Sequence, residues 1–468
     1  MRSKFLNPDF ISVFYDSGSK AAADVQHQVE QISEHISLYF SKIFEFLEQY
    51  VLECPLLSMI SNVDLMAMNF SKKFKDLNNL LSVLFPSVDF KFSNFSEIST
   101  DPESFEIFEI LGFSDWDFST SVVVADSASD LISTLDSLVT STFRSNLLKT
   151  FEDYSEESRP KWIKKSNFYC IFVVEMLNIS KKVSHVISTC LYDPHVINDT
   201  ISGLLININE LVLLFRENKS DLLCSLILMN SEAIQFLRDS QKVIDTSDNL
   251  CTKLIGADSR LLLKFDHQSH GFSIGHATQN FKFSFNYSNE LLVPPHLLVD
   301  DQFLDNLVNE WAAESIVNIY LTSDRVIPSQ IFKIFKSLSF LFGCKVFFLD
   351  CMSIDHSFLT RLITNISKLP VWIVLSNVKY HDILNFKFNS NQQHPIFGLF
   401  ILSAESQSNS IDFSLDHLHP WSTVIKPFIN CLFDLNPEKT SDYSCDIDRF
   451  LNDQKFKICL TVMNIWYK

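Results

Sequence analysis

Phosphate chemistry leans on glycine, and this sequence of 468 residues contains only eight: Gly18, Gly112, Gly203, Gly256, Gly271, Gly275, Gly343 and Gly398. Ordinary usage is about 7%, so roughly three-quarters of the expected glycines are missing. A phosphate-binding loop of the form G-x-x-x-x-G-K-[ST] uses backbone N–H groups to cradle phosphate. Its lysine neutralises charge, and its hydroxyl holds Mg²⁺. Only Gly271 and Gly275 lie close together, in G-F-S-I-G, with no lysine or preceding strand in the right place. No such loop occurs anywhere in the chain. Phenylalanine is in excess, at 44 residues, for which an AT-rich coding sequence is sufficient cause.

Metal and nucleophile chemistry find no better footing. His267, His270 and His276 lie close together with Asp266 beside them, and His417 and His419 flank Asp416. Such sets are metal-ligand types, but both stretches are polar and read as solvated loops. Ten cysteines include no C-x-x-C pair and none grouped with histidine at zinc-finger spacing, so they read as small apolar residues in a reducing cytosol. No G-x-S-x-G elbow appears. Lys161, Lys164 and Lys165 form a short basic run, read as a solvated helix end.

The elements that would position any site fall into two halves. Hydrophobic residues make up 46% and charged residues 20%, a globular composition. A net charge of −18 opposes broad binding to nucleic acid or anionic membrane. No apolar run reaches the roughly 18 residues of a membrane span, and the N-terminal stretch lacks the apolar core of a secretory signal. Residues 1–265 read as helix after helix. Apolar residues at helical spacing in 25–54 include Val29, Ile32, Ile36, Tyr39, Phe40, Ile43, Phe46, Leu47 and Val51. Similar runs cover 130–154, 162–189, 195–216 and 222–243, with short strands expected near 90–92 and 121–125. From about 280 the grammar changes. Apolar runs at 316–321, 345–349, 372–375 and 398–402 alternate with helical patterns at 329–342 and 357–367. That alternation predicts a parallel sheet with helical crossovers.

Where the halves meet, residues 278–297 read T-Q-N-F-K-F-S-F-N-Y-S-N-E-L-L-V-P-P-H-L. Phe281, Lys282, Phe283, Phe285 and Tyr287 match an aromatic-alternating segment, F-K-Y-G-Y-E-Y. Leu291, Leu292, Val293 and Pro295 match L-V-I-T-P that follows it. This junction resembles that of dynein heavy chains, where the linker enters the first AAA+ module. Ser284 stands for the family's glycine. Collinear blocks agree: L-S-M-I-S-N-V-D-L at 57–65, R-P-K-W at 159–162, N-E-L-V-L-L-F-R at 209–216, K-V-F-F-L-D-C at 345–351, V-W-I-V-L-S-N at 371–377 and F-G-L-F-I-L-S-A at 397–404.

The resemblance implies an irregular helical linker array (1–275), a degenerate P-loop, AAA+-like parallel α/β domain (276–435) and a C-terminal tail (436–468). It also implies where ATP chemistry would sit. The phosphate loop falls on 325–332, R-V-I-P-S-Q-I-F, with its lysine at Ile331. The magnesium-orienting aspartate falls on Ser376, the water-activating glutamate on Asn377 and the fourth-strand asparagine on Ala404. An arginine finger has only Lys426 beside Pro427 as counterpart. None of these side chains can do the family residue's work, so the expectation is no catalytic, nucleotide or metal residue and no bound ATP or Mg²⁺. The family implies other dynein chains and microtubules as partners, in cytoplasm, cytoskeleton or cilium. The competing expectation is a repurposed interaction scaffold.

Overall fold

A computed structural model describes residues 20–60, 64–66, 81, 84–85, 88–92, 105–112, 123–125, 128–154, 159–190, 193, 195–217, 221–246, 260–268, 271–276, 279–285, 293–322, 328–353, 356–378, 393–403, 410–418, 427 and 431. Helices dominate the first half: α1 (Lys20–Glu53), α2 (Ala128–Glu152), α3 (Arg159–Lys165), α4 (Phe168–Thr189), α5 (His195–Glu217) and α6 (Asp221–Thr246). The run expected at 162–189 is broken. Asn167 caps α4, its side chain accepting from the Tyr169 N–H at 2.9 Å, and this separates α4 from the short α3. Lys161, Lys164 and Lys165 are exposed on α3, with the latter two in its last turn.

The first half is not wholly helical. An antiparallel sheet joins β1 (Val88–Phe92), β2 (Phe105–Gly112) and β3 (Val123–Ala125) in that order. A second antiparallel sheet joins β4 (Leu262–Asp266), β5 (Gly271–His276) and β6 (Gln279–Lys282). Four of these strands, β2 and β4 to β6, were not expected. Short strands whose one face packs on a helix carry little periodic signal of their own; here β4 lies against α4 and β5 against α9 (Pro328–Phe342). Position 275 falls inside β5, so the helical half and the sheet half meet within a strand.

Among the described residues one helical stretch, His195–Phe215, is long and apolar enough to cross a membrane by composition, with mean hydropathy 1.2. That departs from the expectation of no such run. In the fold, Ile197, Leu204, Ile208, Leu211 and Phe215 are buried, and α5 packs on α6 and α4.

Beyond a short α7 (Pro295–Leu298), α8 (Asp301–Glu314) leads into the sheet half, and α10 (His356–Ile366) lies between β8 and β9. Five parallel strands, β7 (Ile316–Leu321), β8 (Lys345–Asp350), β9 (Val371–Ser376), β10 (Gly398–Ser403) and β11 (Ser410–Phe413), run in the order β11-β7-β10-β9-β8. The mixed helical and parallel α/β architecture is therefore as the sequence pattern requires. Inner strand β9 is buried at every residue and central β10 at all but its last; the edge strand β8 is only half-buried.

Aromatic rings form a continuous path between the halves. Phe143 of α2 stands edge-on to Tyr169 at 4.8 Å and to Phe285 at 6.2 Å, and Tyr169 meets Phe340 of α9 at 4.6 Å. Phe281 stacks on Trp311 at 4.9 Å, and Trp311 meets Trp372 at 5.0 Å. The junction backbone is clamped as well: the Phe283 N–H donates to Phe272 O at 3.0 Å and the Ser284 N–H to Phe342 O at 3.1 Å. Gly343 turns the chain there at φ +61°, where a Cβ would stand 2.9 Å from both the Phe283 ring and the Phe285 nitrogen. The backbone nitrogen cannot swing aside. Gly343→Ala should lower stability by about 2 kcal/mol or more, combining left-handed strain with overlap. Denaturant unfolding of the variant checks this.

Candidate functional site

Parallel α/β sheets bind ligands at the carboxyl ends of their strands, where the order of connections reverses. Here the reversal lies between β7 and β10. Register aligns Ser403 of β10 with Tyr320 of β7, Ile401 with Leu375 of β9, and Ser376 of β9 with Asp350 of β8. The ends of the first, fourth, third and second strands of this sheet thus form one edge. It is the place where a nucleotide site would be built.

The chemistry at that edge is sparse. Past β7, the Thr322 backbone and hydroxyl both donate to Phe413 O, at 3.0 and 3.2 Å, tying β7 to β11. Of the stretch 325–332, residues 325–327 lie outside the described residues, and 328–332 form the first turn of α9. Ile331, at the lysine position implied by resemblance, is 1% exposed within the core. Phe332 packs on Phe348 at 5.6 Å, with the Lys336 ammonium 5.7 Å from its ring centre. Burial lowers the Lys336 ammonium below its ordinary range. An aliphatic and an aromatic side chain therefore fill the start of the helix.

At the end of β9, Ser376 is buried and Asn377 is exposed in the left-handed region, at φ +56°. Its side-chain amide donates to Asp350 Oδ1 at 2.9 Å, and the Met352 N–H donates to the same oxygen at 3.1 Å. These two donors, the Asn377 amide first, hold the Asp350 carboxyl below its usual range. Among the described residues at this edge Asp350 is the carboxylate, one strand away from Ser376 and Asn377. Its signal in the sequence is the acidic residue next to last in K-V-F-F-L-D-C. With its Oδ1 engaged by two neutral donors, Asp350 acts as a turn anchor for 350–352. Ala404 and Lys426 lie outside the described residues, and Pro427 is buried.

The histidines are not all solvated. His276 is 1% exposed on β5, its Nε2 3.0 Å from Asp305 Oδ1 of α8, and its buried Nδ1 has no partner among the described residues. His417 Nδ1 lies 2.6 Å from Asp300 Oδ2. Asp300 also caps α8 by accepting from the Phe303 N–H at 2.7 Å. Both rings thus fasten α8 to its neighbours. The reading as solvated loops fails for these two because their carboxylate partners come from a distant element. His267 is exposed, edge-on to Phe265 at 5.0 Å; His270 and His419 lie outside the described residues. Among the described residues, no group of three His, Cys, Asp or Glu could hold a metal ion.

Burial pushes the Cys170 thiol up to about 12, and raises Cys54 and Cys344 as well. These thiols stay protonated and act as packing groups. A second concavity lies between α4, α6 and residues 293–296. It is lined by Met176, Ile179, Met229, Pro294 and Phe340, with the Glu232–Arg260 ion pair beside them. At about 50 Å³ it has room for a few waters and is too small for a nucleotide. No protein-family model matches the chain, and no curated protein matches it significantly.

Proposed function

We propose that this chain is a dynein-heavy-chain-like protein whose motor-type module is non-catalytic, a pseudo-ATPase with a structural or dynein-complex-associated role. The observation that carries the reading is the strand order β11-β7-β10-β9-β8. In the resembled family, ATP chemistry draws on the loop after the first strand and on the ends of the third and fourth. This order sets those three ends side by side, as an AAA+-like, P-loop-derived sheet requires. Helices α2 to α6 adjoin the sheet through the aromatic junction at 281–285, which suits a linker running into a first module.

Loss of catalysis follows from the side chains at that edge. Isoleucine at 331 faces the core, and a buried serine and an amide stand at 376 and 377. None is a cation that could neutralise phosphate, and none is a carboxylate that could orient Mg²⁺ or activate water as a base. Titration of the purified chain with ATP, with and without Mg²⁺, is expected to give no saturable binding at micromolar nucleotide. Micromolar affinity would overturn the pseudo-ATPase reading. The family reading has its own test: tubulin, or dynein light and intermediate chains, should co-purify with the tagged chain.

A repurposed interaction scaffold is the second reading, favoured by the amount of apolar side chain that α1 presents to solvent. Under it, none of those dynein-related proteins co-purifies.

A further inference from the structure

The helix α1 spans 34 residues, yet among those with described side chains, from residue 27 on, only the C-terminal end is rooted in the body. Leu47 is buried, Ile43 and Val51 pack partly against the core, and the turn Pro55–Met59 beyond it lies against α10. Residues 27–42 are exposed throughout. Val29 is 47%, Ile36 49% and Tyr39 66% exposed, with Ile32 and Phe40 similar. Isolated helices are marginal in water, and most helix stability comes from packing an apolar face. Two turns of anchorage do not explain an ordered helix whose apolar face lies in solvent.

The spacing says what covers it. Apolar residues recur at Val25, Val29, Ile32, Ile36, Tyr39, Ile43 and Phe46, alternating steps of four and three. That is a 3.5-residue period held for three heptads. It marks a supercoiled helix pair, whereas a helix lying on a globular core follows 3.6. Val29, Ile36 and Ile43 occupy the a positions and Val25, Ile32, Tyr39 and Phe46 the d positions, an unbroken apolar seam. The flanking e and g positions are Gln28, Ser33, His35, Phe40 and Lys42, with no carboxylate among them. Glu30, Glu34 and Glu45 all sit at outer positions. A chain of net charge −18 has therefore kept its negative charge off this seam, so an identical copy can approach without repulsion. Two such faces would bury on the order of 1,000 Å², which reaches the size of a specific interface.

We propose that α1 is a self-association helix, pairing through Val29, Ile32, Ile36, Tyr39 and Ile43 with the same helix of a second copy to form a two-stranded coiled-coil dimer. Self-association through this seam requires nothing of the dynein resemblance.

Sedimentation of the full chain should give a mass near twice the 53.9 kDa of one chain at micromolar concentration. Ile36→Glu combined with Tyr39→Glu buries two unpaired charges from each copy and should weaken the dimer at least about a hundredfold. Glu34→Lys, on the outer face, should leave it intact. Both positions 36 and 39 are exposed in one copy, so the double variant should keep the cooperative unfolding transition of the body and lose at most the far-ultraviolet ellipticity of the unanchored part of α1. A monomeric parent chain, or a dimer indifferent to the double substitution, overturns the proposal.

Discussion

Replacing Arg159 with methionine is expected to cost about 3–5 kcal/mol of stability, the typical loss when one partner of a buried ion pair is removed. Arg159 and Glu175 are each 1% exposed, and Arg159 Nε donates to Glu175 Oε1 at 2.6 Å. The guanidinium also donates to Asn207 O at 3.2 Å and lies 3.5 Å from Glu210 Oε2. One side chain from the first residue of α3 thus ties α4 and α5 together. Burial by itself lowers the Arg159 pKa; the Glu175 charge and hydrogen bond outweigh that and leave it above its ordinary value. Without the arginine, Glu175 is a buried charge with no counterion. The double variant Arg159→Met, Glu175→Leu should recover most of the loss, because two well-packed apolar groups replace two desolvated ions. Guanidinium unfolding of the parent, both single variants and the double variant checks this. A double variant as unstable as the single would refute the ion-pair account.

Trp372→Ala should cost a similar 3–5 kcal/mol, by removing the largest buried ring of the sheet core. Trp372 is 1% exposed near the start of β9. Its ring lies 5.0 Å from Trp311, 5.1 Å from Phe400 and 5.3 Å from Phe342, and its indole N–H donates to Ile396 O at 3.0 Å. The ring therefore joins β9, β10, α8 and α9. Trp372→Phe should cost clearly less, since it keeps an aromatic body and loses mainly volume and the bond to Ile396. Thermal unfolding should rank the three proteins parent, phenylalanine, alanine. A cost below about 1 kcal/mol for the alanine variant would mean that the ring cluster is not a packed core.

Strand β9 illustrates what was legible from residues alone. V-W-I-V-L is apolar without alternation, as a strand covered on both faces must be, and the helical patterns around it had crossover length. Helices α2, α5 and α6 were equally plain, because each carries an apolar stripe over more than twenty residues. The absence of a glycine-rich phosphate loop also needed no coordinates. By contrast, G-F-S-I-G-H looked like loop; it became β5 because β4 and β6 pair with it and α9 packs on it. Asp350 drew no notice until Asn377 was found to reach it across one strand.

Composition and periodicity therefore determined the two halves, the parallel sheet and the absence of a G-x-x-x-x-G-K-[ST] loop, since each depends on local patterns or on residue types being present. Tertiary structure decided which charges are buried and which apolar faces are not. His276 finds Asp305 and Arg159 finds Glu175 only when helices dock. The stripe on α1 reads in sequence as a face for the core, and the fold leaves Val29, Ile32, Ile36 and Tyr39 exposed. Partners distant in sequence leave no local pattern, so only the fold reveals them.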